Sequence, residues 1–273
     1  MHAWVNGRML EDPSSPSIAV TDHGLTVGDG VFEAIKVVDG RPFALTRHLR
    51  RLQRSASSLG LPEPDVASVS AAVDEVLGRE HLPLGRVRIT WTGGPAPLGS
   101  GRGNAPPTLA VVAAPMDPAP ATTAAHRVPW PRNERGALAG VKSTSYAENV
   151  VALAEAARHG ASEAVFANLA GQLCEGTGSN VGYVVGGEAR TPTLTSGCLA
   201  GVTRALVVEW AGLVEVDEPI EVLDTADEVF LLSTTRDVQA VHAYGDRVLP
   251  APGPVTLELV ELWAQRAAED LDP

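Results

Sequence analysis

The sequence contains very little lysine and very little cysteine. Of its 21 lysine and arginine residues, only Lys36 and Lys142 are lysines. Cys174 and Cys198 are too few for a disulfide framework and lack the spacing of a zinc site, so we expect reduced thiols. The N-terminal stretch "MHAWVNGRML" has no signal-peptide pattern, and no segment approaches the ~18 apolar residues of a membrane helix. These absences predict a soluble, cytoplasmic protein with no membrane partner.

Several common functional motifs are also absent. The glycine-rich segment "GGPAPLGSGRG" lacks the Gly-Lys-Ser/Thr of a phosphate-binding P-loop. The seven histidines show no metal-binding spacing, and no Gly-x-Ser-x-Gly elbow is present, so we predict neither a metal site nor a serine hydrolase. The net charge of −12 argues against a nucleic-acid partner, because a broad phosphate-binding surface requires positive charge.

The length and pattern of the chain favour a two-domain protein of mixed α/β (α+β) class. With 273 residues, 44% of them hydrophobic, the chain can build its cores without disulfide or metal cross-links. Segments with strand and helix patterns occur in both halves. The proline-rich stretch "PMDPAP" resembles a linker. We therefore predict a smaller N-terminal α/β domain over 1–115, a linker over 116–124 and a larger C-terminal domain over 125–273.

Some secondary-structure elements have clear boundaries in the sequence. The segment "AWVNGRML" predicts a hairpin with an Asn-Gly turn. The segment "TRHLRRLQRSASSLG" predicts an amphipathic helix with Thr46 as N-cap and Gly60 at its end. A second long helix is predicted over 144–159, and "EVFLLSTTRDVQAV" predicts two strands around a polar kink.

Lys142, in "VKSTSY", is the first candidate for chemistry. A neutral lysine amine can attack a carbonyl and form a Schiff base, whereas a guanidinium cannot, so lysine in an arginine-rich chain suits that role. The alternative is that one of the two lysines falls beside a turn by chance. Lys36 lies in an alternating strand pattern and is predicted to be a solvent-facing strand residue.

Three further segments could form a ligand site, although an ordinary turn or helix start is the commoner explanation of the first two and is left open for the third. "CEGTGSN" places Glu175 at a strand end, where a carboxylate could face a heteroaromatic nitrogen. "LAGVTR" and "STTRD" place hydroxyl groups at a helix start and a strand end, both suited to phosphate. A carbonyl, a ring nitrogen and a phosphate together indicate pyridoxal phosphate.

These motifs, in this order, resemble the class IV aminotransferases, the fold-type IV enzymes that depend on pyridoxal phosphate. The resemblance extends from "HAWVNG" to "PGPVTLE", nearly the whole chain. It implies two domains with the cofactor in the cleft between them, and a homodimer. The family includes the branched-chain aminotransferases, the D-amino-acid aminotransferases and the aminodeoxychorismate lyases.

The resemblance also implies a role for individual residues. Lys142 would bind the cofactor covalently and move the substrate's α-proton, and Glu175 would pair with the pyridine nitrogen. Seven further residues would contact or support the cofactor. They are Arg51, Val202, Thr203 and Thr234 at the phosphate, Tyr146 at the ring hydroxyl, Leu199 against the ring and Asn180 behind the ring. Arg102 and Thr235 would bind the small-molecule amino substrate.

Two reactions are compatible with this site. "WTGGPAPLGSGRGN" is similar to the substrate loop of the lyases, where Arg102 would bind a substrate carboxylate. We therefore predict a 4-amino-4-deoxychorismate lyase that releases pyruvate and 4-aminobenzoate, as in folate synthesis. "GVFEAIKV", with Glu33, is more similar to the aminotransferases, which pass the amino group to a keto acid. A non-catalytic pyridoxal-phosphate carrier is the third alternative, disfavoured because the candidate site residues are all retained.

Overall fold

The computed structural model describes residues 1–273, which form two compact units. The first unit comprises Met1–Pro118, Val141–Tyr146 and Asp272, and the second comprises Ala119–Gly140, Ala147–Leu271 and Pro273. Each unit combines one β-sheet with α-helices, which confirms the mixed α/β class. None of the helices has the length and apolar character needed to cross a membrane.

The sheet of the first unit has six strands, and every neighbouring pair is antiparallel. The strands are β1 (His2–Val5), β2 (Arg8–Met9), β3 (Gly30–Val38), β4 (Arg41–Pro42), β5 (Leu84–Thr92) and β6 (Thr108–Pro115). Their order in the sheet is β2-β1-β6-β5-β3-β4. The predicted hairpin at the N-terminus is confirmed as the β1–β2 pair.

Three helices accompany this sheet: α1 (His23–Thr26), α2 (Leu45–Leu59) and α3 (Val66–Leu77). The apolar face of α2 joins the core, and α2 ends at Gly60 in the left-handed conformation, as predicted. The prediction that Thr46 is the N-cap is wrong. The N-cap is Ala44, with a φ of 53°, and Thr46 lies within the first turn, where its hydroxyl donates to Asp272.

The segment Val141–Tyr146 belongs to the first unit, although its position in the sequence predicted the C-terminal domain. The Phe32 amide donates to the Lys142 carbonyl at 3.0 Å, and the Thr144 amide donates to the Gly30 carbonyl at 2.8 Å. The segment is therefore attached to the first strand residues of β3. This extended pairing also explains why the helix predicted from residue 144 begins only at Ala147.

The second unit contains a nine-stranded sheet with both parallel and antiparallel pairs. Its strands are β7 (Thr122–Arg127), β8 (Glu163–Ala167), β9 (Leu173–Gly176), β10 (Asn180–Val185), β11 (Glu188–Thr191), β12 (Val214–Glu215), β13 (Glu228–Ser233), β14 (Asp237–Tyr244) and β15 (Arg247–Val248). The order is β12-β11-β10-β13-β14-β7-β8-β9, with β15 paired to β14. β13 and β14 confirm the two strands predicted around a polar kink.

The helices of the second unit are α4 (Ala147–Arg158), α5 (Val202–Ala211) and α6 (Pro254–Glu269), with short 3-10 helices at Leu194–Ser196 and Ile220–Asp224. Buried aliphatic and aromatic side chains of β8, β9, β10 and β13 form the main core, in which Tyr183 is fully buried. Trp210 of α5 packs against Trp263 of α6, with ring centres 5.3 Å apart. This contact joins the C-terminal end of α5 to α6, and the sequence predicts a phosphate site at the opposite end of α5.

Candidate active site

Lys142 lies beside two aromatic rings of the first unit. Its amine is 4.3 Å from the centre of the Phe32 ring and 5.7 Å from that of Tyr146. The two rings meet edge to face, with centres 5.2 Å apart. Lys142 is half-buried, so its amine borders an apolar surface without being sealed away from substrate.

Arg88 reaches the same aromatic ring and was missed from the sequence. Its guanidinium carbon is 3.9 Å from the centre of the Phe32 ring. The β3–β5 register pairs Phe32 with Thr90 and Ala34 with Arg88, so Phe32 and Arg88 project from one face of the sheet. The alternating pattern of "RVRITWT" predicts a strand, but only the register of β5 against β3 shows that Arg88 lies beside Phe32.

Arg51 is held by a fully buried carboxylate. Its Nε donates to Glu33 Oε1 at 2.8 Å and its Nη2 donates to Glu33 Oε2 at 2.6 Å, a bidentate pair. His48 Nδ1 lies 2.7 Å from the same Oε2. All three side chains are buried, Arg51 being only 5% exposed. Arg51, predicted to bind phosphate, therefore has a guanidinium whose orientation is fixed by β3.

Burial and the neighbouring groups determine the protonation of Glu33 and His48. Burial alone would raise the pKa of Glu33, but the charge of Arg51 and hydrogen bonds from Arg51 and His48 lower it to about 2. Burial lowers the pKa of His48, against the opposing effect of Glu33, so His48 is neutral at pH 7. The cluster at neutral pH is thus one carboxylate, one guanidinium and one neutral imidazole.

Arg102, predicted to bind a substrate carboxylate, is engaged elsewhere. Its Nε and Nη2 donate to the two Asp29 oxygens at 2.7 and 2.6 Å. Its Nη1 and Nη2 also donate to the carbonyls of Gly60 and Leu59, at 2.8 and 2.6 Å. Arg102 thereby ties its loop to the C-terminal end of α2, and most of its donors are used within the first unit.

Glu175 and Asn180 of the second unit enclose the backbone of Leu199. Oε2 of Glu175 accepts a hydrogen bond from the Leu199 amide at 2.9 Å. The Asn180 side-chain amide donates to the Leu199 carbonyl at 2.9 Å. β9 supplies Glu175 and β10 supplies Asn180, so the glycine-interrupted "CEGTGSN" bend brings these predicted residues together with Leu199.

The two predicted phosphate segments of the second unit lie at element ends. α5 begins with Val202 and the buried Thr203, and its N-cap Gly201 provides no side-chain acceptor. Thr234 and Thr235 lie in the turn between β13 and β14. The hydroxyl of the neighbouring Ser233 is buried and has no hydrogen-bond partner. Donors are therefore available at the start of α5 and beside the β13–β14 turn.

Arg132 was also missed from the sequence, because it lies in no recognisable motif. Its Nε is 3.3 Å from Oε1 of Glu175. Its guanidinium carbon lies 4.0 Å from the centre of the Phe166 ring. A positive charge is therefore adjacent to the carboxylate that the sequence predicts as the partner of a pyridine nitrogen.

Comparison with known proteins establishes the family. The model of amino-transferase class IV matches residues 30–244, and the chain belongs to this family. Enzymes of this family use pyridoxal phosphate. Residues 30–244 begin with β3 and end with β14, so the match includes parts of both units.

Individual relatives carry different activities in their names. A Methanocaldococcus jannaschii protein, provisionally named a branched-chain-amino-acid aminotransferase, is 32% identical, with 96% of this chain and 94% of the relative covered. A bifunctional aminodeoxychorismate lyase and D-amino acid transaminase of Mycobacterium tuberculosis is 30% identical, with 92% and 93% covered. The Thermoproteus uzoniensis branched-chain aminotransferase structure has a TM-score of 0.90 at 28% identity, covering 97% of this chain and 94% of that chain.

The Glu33 cluster gives a pH-dependent prediction. Because the pKa of Glu33 falls from 4.5 to about 2 on folding, its contribution to stability is present above about pH 4.5 and is lost as the pH falls through about 2. Glu33→Gln leaves Arg51 buried without its carboxylate and should cost about 3–5 kcal/mol in the free energy of unfolding at pH 7. Urea unfolding at several pH values measures this loss.

The difference between wild type and Glu33→Gln should narrow as the pH is lowered from 5 toward 2. Glu63→Gln, at an exposed carboxylate, is the matched control and should change stability by less than about 0.5 kcal/mol. A stability difference that stays constant over this pH range would contradict the assignment of the charge to Glu33.

Proposed function

We propose that this protein is a pyridoxal-phosphate-dependent aminotransferase that moves the amino group of an α-amino acid, of branched-chain or D type, to a keto acid. The observation that carries the proposal is that the Lys142 amine and the Arg88 guanidinium contact the same Phe32 ring. An amino-acid substrate offers an amine for chemistry and a carboxylate for binding. A lysine and an arginine on one surface match those two groups.

The residues of both units fit pyridoxal phosphate by their chemistry. The uncapped start of α5 and the hydroxyl of Thr203 offer donors for a phosphate, and we propose Thr234 and Arg51 as further phosphate ligands. We propose that Glu175 supplies the carboxylate for the pyridine nitrogen; the backbone of Leu199, which donates to Glu175 and accepts from Asn180, lies beside that carboxylate. The cofactor, when bound, supplies an aldehyde that condenses with amines and a ring that accepts electrons.

In the proposed reaction, each polar residue has a separate task. The Lys142 amine would hold the cofactor and, when free, would act as the general base that takes the proton from the substrate's α-carbon and as the acid that gives it back. Tyr146 and Phe32 form the apolar surface beside that amine, which limits its contact with water. Arg88 binds the substrate carboxylate, and Thr235 lies in the turn that we propose borders the substrate.

A 4-amino-4-deoxychorismate lyase is the second candidate. The bifunctional relative from Mycobacterium tuberculosis favours it. In that reaction Lys142 takes a proton and pyruvate leaves, so that 4-aminobenzoate forms without a keto-acid acceptor. The main sequence argument for the lyase was a carboxylate ligand at Arg102, and Asp29 with two α2 carbonyls occupies that guanidinium. We therefore assign Arg102 to fixing its loop and prefer the aminotransferase.

We also propose that the enzyme is a homodimer. Apolar side chains near α1 are unusually exposed: Val20 is 80%, Leu25 is 68% and Val27 is 44% accessible. A cluster of this kind on a single chain marks an interaction surface, and a second copy of the chain is the partner that the family resemblance implies.

If the protein is a homodimer through Val20, Leu25 and Val27, polar substitutions at these residues should lower its mass in solution. Sedimentation equilibrium should give twice the chain mass of 28.4 kDa for wild type and a large monomer fraction for the Val20→Ser/Leu25→Ser variant. Val248→Ser, at an 84% exposed residue of β15 in the second unit, is the control and should stay dimeric. A wild-type monomer at micromolar concentration would exclude the dimer.

The two lysines of the chain allow a matched test of the covalent link. Added pyridoxal phosphate should give wild-type protein visible absorbance, and borohydride reduction should attach the cofactor to the peptide containing Lys142. Lys142→Arg keeps the positive charge but should lose both signals, since a guanidinium does not condense with an aldehyde. Lys36→Arg should retain them. Labelling at Lys36, or an unchanged Lys142→Arg variant, would refute the assignment.

The reaction itself can be distinguished by its products. Incubation of the cofactor-loaded enzyme with L-leucine or D-alanine should convert the cofactor into its amino form and release a keto acid, followed by absorbance and by product analysis. Incubation with 4-amino-4-deoxychorismate tests the lyase through 4-aminobenzoate and pyruvate. Release of these two products, with no keto acid from either amino acid, would replace the aminotransferase by the lyase.

Substitution of Arg88 and of Arg102 tests which of the two guanidinium groups binds the substrate carboxylate. Arg88→Gln removes a charged hydrogen-bond donor and should raise KM for the amino acid by about 10- to 100-fold, which corresponds to about 1.5–3 kcal/mol. Arg102→Gln should leave KM nearly unchanged while loosening its loop. A large rise in KM for Arg102→Gln, with little change for Arg88→Gln, would show that Arg102 is the carboxylate ligand.

A further inference from the structure

Arg132 is a buried cation fixed on several sides within the second unit. Its amide donates to the Ala167 carbonyl at 2.8 Å, which attaches its backbone to the end of β8. Its guanidinium stacks on Phe166, and Nη1 donates to Glu148 at 2.9 Å while Nη2 donates to the Asn149 side chain. The side chain is only 15% exposed. This environment leaves the guanidinium little freedom to move.

Its remaining donor faces Glu175. The Arg132 Nε is buried and has no hydrogen-bond partner, and it lies 3.3 Å from Oε1 of Glu175. The other oxygen, Oε2, accepts the Leu199 amide. The carboxylate is therefore located between a backbone donor and a guanidinium. The contacts of Arg132 explain its position, but they do not explain why a cation is buried at the back of this carboxylate.

We propose that Arg132 is a positioning residue that keeps Glu175 ionised, so that the shared proton stays on the pyridine nitrogen of the cofactor. This inference rests on the proposed role of Glu175. The proton can reside on the ring nitrogen, beside an anionic Glu175, or on Glu175, beside a neutral ring. The Arg132 Nε lies 3.3 Å from Glu175 Oε1, so its positive charge stabilises the anionic carboxylate and would favour the first arrangement. A protonated ring is the better electron acceptor.

The other titratable groups near Glu175 do not offset this effect. The thiols of Cys174 and Cys198 are the nearest of them, and both are buried. Burial and the Glu175 charge raise the pKa of Cys198 to about 11 and that of Cys174 further, so both thiols are neutral at pH 7. Glu148 is a half-exposed partner of Arg132 on its other side. Arg132 is thus a positive charge in direct contact with Glu175.

The test uses the cofactor-loaded enzyme with pyridoxal phosphate labelled with ¹⁵N in the ring. The ¹⁵N chemical shift reports whether the nitrogen carries the proton, independently of turnover. Wild type should show a protonated nitrogen, and Arg132→Met should lower the ratio of protonated to neutral ring at least about ten-fold. Arg132→Lys should restore much of the wild-type value. Arg135→Met, which removes an exposed arginine three residues away, is the matched control and should change nothing.

A second measurement requires neither cofactor nor a folded variant. The ¹³C shift of the Glu175 carboxyl in wild-type protein without cofactor should show a carboxylate that stays ionised to a lower pH than an exposed glutamate without an arginine partner, such as Glu63. Protonation of Glu175 at the same pH as Glu63, or at a higher pH, would overturn the inference, as would an Arg132→Met ring nitrogen identical to wild type. If Glu175→Gln also leaves the ring nitrogen unchanged, the proposed role of Glu175 fails instead. The two failures are therefore distinguishable.

Discussion

The extended pairing of residues 142–144 with β3 is the constraint on which the candidate chemistry depends. Two backbone hydrogen bonds, from Phe32 to Lys142 and from Thr144 to Gly30, make this short segment an extra edge of the first sheet. The pairing places the Lys142 amine beside the side chain of Phe32. Because β3 pairs with β5 in a fixed register, Arg88 reaches the same ring. A shift of register by one residue would turn these side chains to the opposite face.

Arginine and lysine have different tasks in this molecule. Arg51 with Glu33 and Arg102 with Asp29 are bidentate pairs, and Arg132 combines stacking on Phe166 with several side-chain contacts. A planar guanidinium with donors in a rigid fork suits such fixed pairing. An amine that must lose its charge, condense and move a proton needs the opposite properties. Under the proposed function, the scarcity of lysine has a physical interpretation: Arg51, Arg102 and Arg132 hold fixed partners, whereas Lys142 would be the residue that reacts.

The sequence predicted most elements and the motif residues, but not their pairing. The Gly60 helix end and the β13–β14 strands follow from local signals, because a glycine in the left-handed region and alternating apolar residues act over a few residues. Thr46 failed as an N-cap because the chain enters α2 through Ala44 in a left-handed conformation. Arg88 and Arg132 were missed because their importance lies in partners distant along the chain.

The partners of Arg88 and Arg102 also bear on which reaction the enzyme performs. In their proposed roles, Lys142 and Glu175 would serve elimination and amino transfer equally, so these motif residues do not distinguish a lyase from an aminotransferase. The distinction depends on which guanidinium is available to a substrate carboxylate. Arg102 shares its donors among Asp29 and the carbonyls of Leu59 and Gly60, so binding a substrate carboxylate there would require it to give up these partners. Arg88 lies over the Phe32 ring, and its Nε donates to Thr90 Oγ1 at 3.3 Å, which leaves the other in-plane donors of its guanidinium for a ligand. A planar carboxylate is recognised by those in-plane donors, and this geometry favours a simple amino acid held close to the reactive amine.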